Sequence, residues 1–106
     1  MRLFLYGTLL APDRLARLAG RSLPSTPAVL RGWRRVALPG GRFPTLRRGR
    51  SEVAGVVVAV DAATLAGLFA YEGCCYRLAR VVVRTARGNV VAHAWIAPGG
   101  TLRDWP

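Results

Sequence analysis

The sequence predicts an α+β fold: one small mixed β barrel or sheet with two flanking short helices. Three observations lead there. Short β-rich apolar runs recur between Leu3 and Ile96, two stretches carry helical spacing, and no repeat, linker or low-complexity segment divides the chain. At 106 residues, the expectation is a single domain over 1–106 with one modest core.

Leu3 to Tyr6 is a nearly continuous apolar run ending at Gly7, the pattern of a central strand rather than an edge. Pro12 and Asp13 precede Leu15, Ala16, Leu18 and Ala19 at helical spacing, and Gly20 supplies a stop. Two prolines make Ser22 to Pro27 a loop. Val29 to Leu38 mixes apolar residues and arginines in approximate alternation, with Gly32 a candidate bulge, and Pro39-Gly40-Gly41 forces a turn before Phe43-Pro44-Thr45-Leu46. Arg47 to Ser51 reads as a second turn. The valines of Glu52 to Val60 predict a strand, and Asp61 is placed to cap a helix running through Tyr71. Tyr76 to Thr85 and Val90 to Ile96 are β-rich, and the turn signal Ala86-Arg87-Gly88-Asn89 pairs them as a hairpin. Pro98 to Pro106 carries no clear element.

The formal charge of +11 comes from sixteen basic residues, all arginine, against five acidic ones. Such a balance attracts phosphate backbones, but the arginines are scattered from Arg2 to Arg103 and no nucleic-acid reading motif accompanies them. A nucleic-acid partner is therefore not expected, and the absence of lysine points to a compositional bias. The longest apolar run, Val53 to Val60 broken by Gly55, falls far short of the ~20 residues of a membrane span, and no secretory leader pattern opens the sequence. The expectation is a cytoplasmic protein with no membrane partner. Cys74 and Cys75 are adjacent and cannot close a useful loop, so they are read as reduced thiols. His93 is the only histidine and no spaced Cys/His set joins it, so no metal site is expected and His93 is read as a sheet residue.

With only two glutamates and three aspartates, the search for a catalytic carboxylate is short. Asp61 serves as a cap, Asp13 suits the first turn of a helix, and Glu52 and Asp104 fall at a turn edge and in the tail. Glu72 has no such local role. Leu65, Leu68 and Phe69 form the inward stripe of the second helix, and the next position on that stripe is residue 72, where a hydrophobe belongs. Burial and the negative end of the helix dipole both favour the protonated form, which suits a general acid/base near neutral pH. The pattern alone leaves a second reading open, a structural glutamate paired with Arg77 or bonded to strand amides. Tyr6-Gly7-Thr8-Leu9 offers a complementary element: a glycine turn after a buried strand, with the amides of Gly7, Thr8 and Leu9 facing one pocket to bind an anionic or carbonyl oxygen. Taken alone, a Gly-Thr turn is very common, and an ordinary strand-ending turn with a core tyrosine is the usual reading of those residues.

Taken together, Tyr6-Gly7-Thr8-Leu9, Phe43-Pro44-Thr45-Leu46, Gly55 within a valine strand, and Tyr71-Glu72-Gly73 followed by Tyr76-Arg77 resemble the γ-glutamylcyclotransferase-like, or AIG2-like, family over nearly the whole chain. The resemblance implies a small γ-glutamylcyclotransferase-like barrel with flanking helices and a cavity, and release of 5-oxoproline from a γ-glutamyl amine or γ-glutamyl peptide without a cofactor. It also implies Glu72 as the general acid/base and substrate binding by Tyr6, Gly7, Thr8 and Leu9. Tyr76, and Tyr71 beside it, are candidates to line the pocket, although as aromatics at a helix end and in a strand they also suit the core. The chain departs from the family pattern at Phe69, where many relatives have aspartate. The alternative is a non-catalytic module of the same fold that binds a small acidic metabolite. Leaving group and oligomeric state are not written in these motifs.

Overall fold

The computed structural model describes residues 1–7, 12–72 and 76–105 and, within them, every side chain except those of residues 12, 13 and 72. Five strands and two helices follow in the order β1 (Arg2–Leu5), α1 (Pro12–Ala19), β2 (Ser25–Ala37), β3 (Pro44–Ala59), α2 (Ala62–Glu72), β4 (Arg77–Thr85) and β5 (Gly88–Ile96). The strands close into a barrel in the spatial order β1-β3-β2-β4-β5. Its neighbours are antiparallel except β1 and β5, which run parallel with Leu3 opposite His93. The predicted fold class is the one observed, and closure removes the open sheet edges that invite association.

β1 explains its own apolar composition. Strand side chains alternate between faces, so Phe4 and Tyr6 enter the barrel interior with Leu30, Val57 and Val83, whereas Leu3 and Leu5 face the layer shared with Leu15 of α1 and Leu68 of α2. Both faces are covered over Leu3 to Leu5, so the run is apolar on both. Fully burying a side chain such as Phe4, at 0% exposure, contributes roughly 1.5–3 kcal/mol. Gly55 lies between Leu5 and Phe4 so closely that a Cβ there would sit 2.3 Å from the Leu5 carbonyl oxygen and 2.8 Å from the Phe4 ring. The glycine in the valine strand is thus a requirement of the β1–β3 approach.

Two loop readings give way to strand. β2 starts at Ser25, with Thr26 and Pro27 opposite Val57 and Val56, so Ser22 to Pro27 is only partly a loop. Pro27 is accommodated because β4 joins β2 through Val29 and Arg84 alone, leaving its missing N–H outside the ladder on that side. Arg47 to Ser51 is no turn but the middle of β3, and Glu52 lies inside that strand opposite Arg31. The register slips between the pairs Arg31–Glu52 and Trp33–Arg48, where Gly32, at φ +86°, stands alone against Gly49, Arg50 and Ser51, so the extra residues of the bulge are in β3 rather than at Gly32, and they are the ones whose signal reads as a turn. The hairpin turn is also tighter than expected, with Thr85 directly opposite Gly88. The tail is not featureless: Asp104 bridges Val36, the Ala37 amide donates to the Arg103 carbonyl, and the Trp105 amide donates to the Arg35 carbonyl.

Asp61 caps α2 as expected, its Oδ1 accepting the Thr64 amide at 2.7 Å. Those Thr64 bonds, with help from Arg21, hold its carboxyl below the usual carboxylate range. No helix among the described residues is long and apolar enough to cross a membrane, and His93 is a strand residue opposite Arg80.

Candidate active site

Three segments distant in sequence meet around Pro44, the buried first residue of β3. The first is the exit of β1. A Cβ on Gly7 would fall 2.8 Å from the Pro44 ring, so the backbone passes the proline at a distance that only glycine permits without displacing it. The second is the entry to β4, where the Tyr76 hydroxyl donates to the Pro44 carbonyl at 2.5 Å. The third is the segment after β5. Thr45, fully buried, donates its hydroxyl to the Ala97 carbonyl at 2.8 Å and accepts the Ala97 amide at 2.9 Å. One side chain satisfies a buried donor and a buried acceptor that lack a strand partner, and so fixes the start of β3.

Tyr6 is held twice. Its hydroxyl donates to the Trp95 carbonyl from inside the barrel, and its own carbonyl accepts a bond from Arg35 Nη1 at 3.0 Å. The ring thus belongs to the core. Tyr76 is half-buried against the layer beneath the helices. Tyr71 is more exposed, on the outer side of α2, where Arg14 Nη1 lies 3.4 Å from its hydroxyl.

Glu72 is the last residue of α2. The helix does reach this position, as the stripe argument required. Leu68, one turn earlier, is wholly buried and Leu65 packs beside it. Phe69 does not follow the inward stripe: 47% of it is exposed, and its ring meets the edge of Trp95 at 4.6 Å between centroids. Trp95 itself is 3% exposed, and its Nε1 has no hydrogen-bond partner among the described residues.

The model of the family described as gamma-glutamyl cyclotransferase, AIG2-like, matches residues 3–105. The chain belongs to that family. Among solved structures, this cyclotransferase-family chain is similar to a protein of Arabidopsis thaliana determined in solution, at 28% identity and a TM-score of 0.80 over 91% of this chain and 61% of that one. It is similar also to a structure described as a gamma-glutamyl cyclotransferase, at 20% identity and a TM-score of 0.83 over 95% and 68%. An uncharacterized protein of Pyrococcus horikoshii matches at 21% identity and a TM-score of 0.74 over 98% and 83%. The last two likenesses concern the fold, and the chain spans less than two thirds of the Arabidopsis protein's length. No curated protein matches the chain.

Of the candidate residues of this family member, Gly7 and Tyr76 come together at Pro44, and Tyr6 precedes Gly7 with its carbonyl on Arg35. Thr8, Leu9, Cys74 and Cys75 lie outside the described residues, and of Glu72 the described part is its place at the end of α2. The sequence motifs contained Pro44 and Thr45 without revealing that they are the hub. Arg35 was missed as well, because one arginine among sixteen gives no signal until the strand register places it beside the Tyr6 carbonyl.

Proposed function

We propose that the protein is an enzyme that releases 5-oxoproline from a γ-glutamyl amine or γ-glutamyl peptide by intramolecular aminolysis. Family membership supports the reaction class. The observation that supports the assignment to this chain is the convergence at Pro44 of Gly7, just past β1, and Tyr76, four residues after Glu72. In this reading Glu72 accepts a proton from the substrate's α-ammonium group, and the freed amine attacks the γ-carbonyl carbon. The carbonyl π electrons move to oxygen, and the amides of the Tyr6 to Leu9 turn bind the resulting oxyanion. Protonated Glu72 passes that proton to the leaving nitrogen and then takes the second proton from the ring nitrogen, which attack has left positively charged; the oxyanion collapses, the bond to the leaving amine breaks, and Glu72 gives this proton to the free amine, which departs as an ammonium ion. Atoms and charges balance with one acid/base and no second reactant.

The test is 5-oxoproline release from a panel of γ-glutamyl amines and dipeptides by the wild type and Glu72→Gln. Turnover by the wild type with a loss of about 10²- to 10⁴-fold in the variant, the usual range for a general acid/base, is expected. No release from any member, with γ-glutamyl ligands still bound equally by both proteins, would replace the enzyme with a binding module.

A further inference from the structure

We infer that Arg35 is a positioning residue for the reaction proposed above: its guanidinium grips the Tyr6 carbonyl and thereby aims and strengthens the Gly7 amide as an oxyanion donor. The inference rests on that reading for its consequence in catalysis, but its geometry stands alone. The Tyr6 carbonyl and the Gly7 N–H belong to one peptide plane, and none of the peptide bonds described is cis. In a trans plane the C=O and N–H point in opposite directions. Arg35 Nη1, 3.0 Å from the Tyr6 oxygen in a partly buried setting, therefore fixes the direction of the Gly7 N–H without touching it. A cation on the carbonyl also polarises the peptide, and hydrogen-bonded chains strengthen their donors in this way.

Arg35 is itself held in place. The Trp105 amide donates to its carbonyl at 3.1 Å, and its guanidinium carbon lies 5.3 Å from the centre of the Trp105 ring. The neighbouring Arg34 pairs with Asp104 at 2.7 Å and also reaches the Leu102 carbonyl at 3.1 Å. The C-terminal segment is thus latched along β2 on both sides of Arg35. A surface arginine needs none of this, and nothing in the β2–β3 register requires a cation opposite Leu46. A cavity of about 240 Å³ beside Arg35, lined also by Val53, Ala54 and Trp105, leaves room for a small cation once the side chain is cut back.

The experiment compares Arg35→Lys, Arg35→Met and Arg35→Ala with the wild type. The Gly7 amide resonance is followed by NMR, and 5-oxoproline release is measured with the substrate found active. The Gly7 amide is expected to shift in Arg35→Met and to return toward its wild-type position in Arg35→Ala on adding millimolar methylguanidinium. An unmoved Gly7 resonance would overturn the inference whether or not the protein is an enzyme. Where the wild type turns over, kcat should fall about tenfold or more with KM little changed, below the full 10²- to 10³-fold effect of deleting a donor outright. Arg35→Lys and methylguanidinium should each restore part of it. Equal losses in Arg35→Lys and Arg35→Met that track melting temperature, without cation rescue, would reduce Arg35 to a structural role. A wild type without turnover defeats the proposed function alone, and the Gly7 resonance still decides this inference.

Discussion

The Tyr76 hydroxyl meets the Pro44 carbonyl at 2.5 Å, joining the segment that enters β4 to the first residue of β3 across 32 positions of sequence. Because Gly7 packs on the same proline, this bond fixes the relation between Gly7 at the end of β1 and Tyr76 at the start of β4. Removing the hydroxyl leaves a partly buried acceptor without this donor. Tyr76→Phe should destabilise the fold by about 1 kcal/mol in urea denaturation. In a domain of this size that is a fall of roughly 5 °C in Tm. A variant as stable as the wild type would show that the bond contributes nothing net.

The glycines of β3 and α2 should respond in opposite directions. Gly55→Ala drives a methyl group into the Leu5 carbonyl and the Phe4 ring, neither of which yields without separating β1 from β3. A loss of more than about 3 kcal/mol, or failure to fold, is expected. At Gly67, inside α2, the nearest atom to an added Cβ is the Leu18 carbonyl oxygen at 3.8 Å, an ordinary contact. Gly67→Ala should stabilise by about 0.5–1 kcal/mol through helix propensity. Chemical denaturation of the two variants side by side checks both signs.

The same two glycines indicate what the sequence made legible. Gly55 in a valine run, the doubly apolar β1 and Asp61 before a helical stripe each carry a local signal with one physical meaning, and each element stands where that signal put it. The stretch Arg47 to Ser51 carries a misleading one. Arginine, glycine and serine in succession read as a turn, yet they lie within β3, where Gly49 to Ser51 bulge against Gly32 of β2, and the partner strand that decides the matter lies in another part of the sequence. Phe69 shows the same limit at the candidate site. Its spacing says inward, but the contact that accommodates it, the edge of Trp95, is set by β5 and leaves the ring half exposed. Arg35 is the extreme case, since its role depends on a single non-local hydrogen bond.

Phe69 stands three residues before Glu72 on α2. Phe69→Asp removes the edge contact with Trp95, an interaction of about 0.5–1.5 kcal/mol, and a stability loss of that order is expected. It also puts a carboxylate at i, i+3 from the proposed acid/base, and a like charge disfavours ionisation of its neighbour. In an active enzyme the acidic limb of the pH–rate profile should therefore move to higher pH. A limb that stays in place, in a variant that remains folded, would indicate that the titrating group is not Glu72.

Asp61 makes the acid stability of the protein predictable in sign. The Thr64 hydrogen bonds, assisted by Arg21 at 3.4 Å, hold its carboxyl below the usual carboxylate range in the folded state. A group whose pKa is depressed by folding contributes stability that is fully present above its unfolded pKa and is lost as the pH falls through its folded pKa. The contribution of Asp61 should thus be intact at pH 5 and above and decline below about pH 4, toward the lower folded value. Asp61→Asn separates charge from capping, because asparagine accepts the Thr64 amide as well as aspartate does and has no proton to gain. The variant should melt close to the wild type at the acid end, where both caps are neutral, and below it at pH 7, where only the wild type has the carboxylate facing the helix dipole and Arg21. Melting curves of both proteins between pH 2.5 and pH 7 are the measurement. Two Tm profiles that stay parallel across that range would mean that the cap acts through its hydrogen bond alone, whereas profiles that diverge as the pH rises past about 4 would locate the linkage at Asp61.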